Sequence, residues 1–124
     1  MKPQTFSWSS RLRSFRYAWE GISSFLQSEH NAWLHFMCSI AVLTLAVLVG
    51  VNTTEALALV FAIGFVWVAE MFNTCIERVL DFVSLEKHPE IKFIKDLAAG
   101  AVLVAALVAI VVAIIVFIPK LFTL

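Results

Sequence analysis

Three long apolar runs set what this chain of 124 residues can become. The first, at 32–51, contains IAVLTLAVLVGV; the second opens with Ala56 to Ala69, which carries no charge; the third covers 97–118. A helix of about 20 residues rises about 30 Å, the thickness of a bilayer's hydrocarbon core. Hydrophobic residues make up 61% of the chain and charged ones 15%, with a mean hydropathy of +0.93. So short a chain has too little interior to hide that much apolar surface in a soluble core. The expected fold is an all-α integral membrane protein, one membrane domain over 1–124. It has an amphipathic interfacial helix at 8–28 and membrane helices at 32–51, 55–83 and 97–118. Formal net charge is zero, so nucleic acid is not an expected partner.

Within 8–28, Leu12, Phe15, Trp19, Ile22 and Leu26 alternate spacings of three and four and so form one stripe. Arg11, Arg13, Arg16 and Glu20 fall largely off it, the pattern of a helix lying in the membrane interface. A soluble helix packed on a partner is the alternative. No apolar h-region follows the basic residues near the N-terminus, so no signal peptide is expected there. NTTE, Asn52 to Glu55, breaks the first run, and Thr53 or Thr54 is expected to cap the next helix. The segment 84–96 reads as a polar loop, with a helix boundary at His88-Pro89. The third span is expected to end at Pro119-Lys120. Cys38 and Cys75 read as small buried hydrophobes. Basic residues cluster before the first span and after the second, while 52–55 has none, which places the N-terminus and the 84–96 loop in the cytoplasm.

The second run cannot cross a membrane without continuing into EMFNTCIERVLD, Glu70 to Asp81. On a continuous helix Glu70, Asn73, Glu77 and Asp81 share one face within an arc of about 80°. Acids at membrane depth are costly and mark function by default. Glu70 and Glu77 stand about 10 Å apart along the axis, too far to hold one small ion between them. Glu77 therefore needs another oxygen partner for Mg²⁺. Asp81, one turn on, and Glu29, at the entrance of the first span, are the candidates. The deeper Glu70 is suited to general-base work. Lys95 and Asp96 open the third span on the same side. Lys95 is a point-charge ligand for phosphate or an anchor to anionic lipid; Asp96 is a site residue or a helix N-terminal charge. Together these suggest phosphoryl transfer onto a lipid hydroxyl. No GxxxxGK[ST], GxGxxG, HRD or DFG is present, so neither usual nucleotide-binding architecture applies. A non-enzymatic cation channel or small transporter subunit is the rival class.

RSFRYAWEGI (13–22), SEHNAWLH (28–35), EMFNTCIERVLD (70–81) and HPEIKFIKDLAAGAVLV (88–104) together resemble the prokaryotic diacylglycerol kinase family, which includes the undecaprenol kinases. The resemblance runs from about Arg11 to Pro119. It implies an ATP-dependent lipid kinase of the inner membrane, homotrimeric with shared active sites and using Mg²⁺. By motif position it implies Glu70 as catalytic base and Glu29 and Glu77 as metal ligands. Asn73, Asp81, Lys95 and Asp96 become nucleotide- and phosphate-binding positions, and Glu70, Asn73 and Trp19 substrate-binding ones. The E-x-N-x-x-x-H and HP-x-x-K-x-x-KD forms are closer to the undecaprenol kinase branch, with diacylglycerol the other candidate acceptor. His35 is expected to be hydrogen-bonded inside the bundle, and His88 to shape the loop before Pro89.

Overall fold

The computed structural model describes residues 5–123. They form four helices: α1 (Trp8–Ser28), α2 (His30–Val49), α3 (Thr53–Val83) and α4 (Pro89–Leu121). The last three are each long and apolar enough to cross a membrane. Large apolar side chains stay exposed along all three, among them Val47, Leu48, Phe61, Phe72 and Ile115, and among the described residues no large side chain is fully buried. A chain that turns this much hydrocarbon outward needs an apolar solvent around it.

The chain divides into two compact units, one ending at Leu34 and one starting at His35. In the first, α1 runs unbroken to Ser28, and Glu29 ends it with an extended backbone, its N–H donating to the Phe25 carbonyl. Phe25 is buried, whereas Leu12, Phe15 and Trp19 of the apolar stripe are each at least 70% exposed. Arg16 pairs with Glu20 one turn on, at 2.9 Å.

In the second unit α3 and α4 form an antiparallel hairpin, with α2 from His35 onward against it. Ala46, Leu59 and Val116, one from each helix, make a small buried cluster backed by Val42, Val51, Val112 and Phe117. Gly50 ends α2 in the left-handed region (φ 72°), and the N–H groups of Gly50 and Val51 both donate to the Ala46 carbonyl. A side chain at that φ would be strained.

The cap of α3 is Asn52, not Thr53 or Thr54. Its side-chain oxygen accepts from the Glu55 N–H at 2.9 Å, and its own N–H donates to Glu55 Oε2 at 2.9 Å. This reciprocal box needs a three-residue step to the acid, and only Asn52 stands three before Glu55. The polar loop is shorter than expected, but the helix boundary expected at His88-Pro89 is where α4 begins. Helix α4 starts at Pro89, with His88 as N-cap accepting the Glu90 N–H at Nδ1 (3.2 Å). Pro89 suits the first helical position, where no N–H is needed. At the far end α4 continues through Pro119 to Leu121, because a proline in the final turn removes one bond without halting the helix. Cys38 and Cys75 are both free, and both are exposed rather than buried. Three helices have too few neighbours to cover every face, so small residues also fall on the outside.

Ion pairs hold both ends of the α3–α4 hairpin. Asp81 meets Lys95 at 2.6 Å near the connecting loop, and Glu55 meets Lys120 at 3.0 Å at the opposite end. The helix between the two pairs rises about 38 Å on each strand of the hairpin.

Candidate active site

The acidic stripe of α3 lies on one uninterrupted helix, and its burial falls steadily toward the loop. Glu70 is buried, with 9% of its surface exposed; Asn73 and Glu77 are half-buried; Asp81 is exposed. The four do not form one network. Each level of the stripe has its own partner.

At the deepest level, Glu70 Oε1 lies 2.7 Å from His35 Nε2 on α2. One turn away the same two helices are joined again. Trp67 Nε1 donates to Ser39 Oγ at 2.9 Å, and Ser39 Oγ donates to the His35 carbonyl at 2.7 Å. His35, Ser39 and Trp67 also line a cleft of about 280 Å³ whose other walls are apolar, including Val42, Val66 and Ala109. The low dielectric of such a wall strengthens a satisfied polar contact and penalises an unsatisfied one.

At the middle level, Asn73 Nδ2 donates to Glu77 Oε1 at 3.3 Å, along the helix face. Asn73 Oδ1 is buried and has no hydrogen-bond partner among the described residues. One carboxylate and one uncommitted amide oxygen, one turn apart, are the oxygen donors a hard divalent cation takes. They fit part of a Mg²⁺ shell. Among the described residues no three His, Cys, Asp or Glu side chains converge into a fuller set, so bound phosphate and water would supply the remaining ligands.

At the outer level, Asp81, Lys95 and Asp96 line a cavity of about 690 Å³ together with Glu86, Lys87, His88 and Lys92. Lys95 Nζ donates to Asp81 Oδ1, and Lys92 Nζ donates to Asp96 one turn along α4. Asp96 is thus well inside α4 rather than at its N-terminus, so a helix-end role does not apply to it. Glu29 and Trp19 belong to the first unit, Glu29 half-buried at the break after α1 and Trp19 exposed on α1. The residue that sequence reasoning left without chemical work is His35. Its signal was an ionisable ring inside an apolar span, which asks for a polar partner.

Four helices, three of membrane-spanning length, with an acidic stripe leading to a cavity lined by side chains of both charges, define the class. The chain belongs to the prokaryotic diacylglycerol kinase family, whose sequence profile matches residues 16–117. Two characterised relatives are similar over most of the chain. A diacylglycerol kinase of Synechocystis sp. is 36% identical over 114 residues, covering 91% of this chain. The undecaprenol kinase of Bacillus subtilis is 35% identical over 109 residues, covering 88% of this chain. The chain spans 65% of the length of the first relative and 89% of the second.

Proposed function

We propose that this protein is a lipid kinase of the cytoplasmic membrane, transferring the γ-phosphoryl group of MgATP to a membrane lipid alcohol, with undecaprenol preferred. The observation that carries the reading is the buried Glu70 carboxylate at the inner end of a stripe that opens onto a lysine-rimmed cavity. Family membership supports ATP as donor. Counted from Glu55, Glu70 lies about 22 Å along α3, inside a hydrocarbon core of about 30 Å, and Asp81 lies beyond it. A base at that depth meets a lipid hydroxyl, while the cavity around Lys95 meets a nucleotide from the aqueous side. The distribution of Lys and Arg makes that side cytoplasmic.

Glu70 accepts the hydroxyl proton as the lipid oxygen bonds to the γ-phosphorus and the bond from phosphorus to the β–γ bridging oxygen breaks. ADP leaves, and no covalent enzyme intermediate is needed. Lys95 holds phosphate charge, with Asp81 and Asp96 orienting the lysines of the rim. Asn73 and Glu77 would supply oxygen ligands to Mg²⁺, which would neutralise phosphate charge and align the transferring group; Glu29 is proposed as a metal ligand from its motif position alone. The stripe of α1, with Trp19, suits a helix that lies in the membrane interface. Three spans of one chain enclose little protein, and a homotrimer with shared sites would complete the enclosure.

The two relatives carry the two acceptor names at nearly equal identity. The motifs around His35 and His88 tip the preference to undecaprenol. The test offers undecaprenol and diacylglycerol to the protein in lipid–detergent micelles with labelled ATP, singly and in competition. Preferred labelling of undecaprenol is expected. Preferred labelling of diacylglycerol reverses the acceptor. Labelling of neither, with ion flux in proteoliposomes, replaces the kinase with a channel.

A further inference from the structure

Glu70 has two carboxylate oxygens, and only Oε1 is engaged, by His35 Nε2 at 2.7 Å. Oε2 has no hydrogen bond among the described residues and is the oxygen open to an acceptor hydroxyl. A carboxylate with 9% exposure and no donor would be costly in its charged, basic form. A glutamate side chain also has three rotatable bonds, so a base built from it needs something to aim it.

We infer that His35 is a positioning residue for the transfer reaction, its Nε2–H donating a hydrogen bond to Glu70 Oε1 so that the carboxylate points its other oxygen at the acceptor hydroxyl. The inference rests on Glu70 being the base. Three features favour a fixed donor over a casual contact. His35 and Glu70 come from different helices, so the bond sets the register of α2 against α3. The Trp67–Ser39–His35 chain repeats that link one turn away and holds the His35 backbone in place. The cleft beside His35 is apolar apart from these groups and offers the ring little else to bind. A hydroxyl or water in that cleft could not replace the bond without entering an apolar space.

The experiment compares His35→Phe, His35→Gln and Glu70→Gln with the full-length parent protein in lipid–detergent micelles, using undecaprenol and diacylglycerol as acceptors. A second readout is the ¹⁵N spectrum of the imidazole ring. Phenylalanine keeps a ring but donates nothing; glutamine places an N–H near the position of Nε2 but carries no transferable proton. His35→Phe is expected to lower kcat roughly 10- to 100-fold, the loss of one hydrogen bond to a charged group, with acceptor KM nearly unchanged. His35→Gln is expected to recover most of that loss. The Nε2 resonance of His35 is expected to move when Glu70 becomes Gln. Parent-like kcat in His35→Phe overturns the inference, and so does a His35→Gln variant as impaired as His35→Phe. If either variant does not fold, the ring spectrum decides, and an Nε2 signal indifferent to Glu70→Gln overturns it. Full turnover in Glu70→Gln would instead remove Glu70 as base. Its loss beside an active His35→Phe would remove only the inference.

Discussion

Lys95 Nζ sits 2.6 Å from Asp81 Oδ1, across the loop that joins α3 to α4. Both side chains are partly exposed, and an exposed pair of this kind contributes about 1 kcal/mol or less to stability. Its weight therefore lies in where it holds the ammonium. Lys95→Met is expected to raise the KM for ATP by roughly tenfold or more, as loss of a charge-assisted phosphate contact does, while the melting temperature moves only a few degrees. Nucleotide titrations beside thermal melts check this. An unchanged KM takes Lys95 out of the nucleotide site.

Glu70→Gln keeps the shape of the side chain and loses the ability to take a proton. A fall in kcat of about 10²- to 10⁴-fold is expected, with ATP binding retained. Turnover and equilibrium nucleotide binding, measured on the same preparation, separate the two effects.

Glu77→Gln and Asn73→Ala each remove an oxygen or its charge from the middle of the stripe. Both are expected to raise the Mg²⁺ concentration needed for half-maximal rate, with Glu77→Gln the larger because it removes a formal charge. A Mg²⁺ titration that overlays the parent's curve in both variants would separate these residues from the metal.

Asn52→Ala breaks the reciprocal box at the start of α3, far from the stripe. A loss of about 1 kcal/mol in stability is expected, with kcat and KM unchanged below the melting point. Gly50→Ala is expected to cost about as much, through its left-handed backbone. Denaturant or thermal unfolding of both variants reads this directly.

The spans were legible because lipid imposes a simple rule, and runs such as 32–51 and 56–69 have no other solvent. The stripe was legible because Glu70, Asn73, Glu77 and Asp81 all lie on one helix, where spacing alone fixes the face. Details that depend on a choice among neighbours were not. Asn52, Thr53 and Thr54 are all good caps by residue type, and a reading by type overlooks the three-residue step to Glu55 that singles out Asn52. The boundary at His88-Pro89 was legible, but not that α4 starts there, because Glu90, Lys92, Lys95 and Asp96 look like loop residues. The His35–Glu70 contact joins two helices. His35 lies little more than a turn from the start of α2, and Glu70 more than three turns from the end of α3, so counting inward from the ends does not pair them.

The two ion pairs that close the α3–α4 hairpin act as a length standard. Asp81–Lys95 and Glu55–Lys120 are charged, and each is most stable where water reaches it. Their separation of about 38 Å exceeds the hydrocarbon core by roughly one headgroup layer in total. A thinner bilayer makes the hairpin tilt, and a thicker one draws the charges inward, at a cost for each ångström of mismatch. Membrane thickness thereby sets how deep Glu70 rides, and the host lipid's chain length becomes a variable of the enzyme's chemistry.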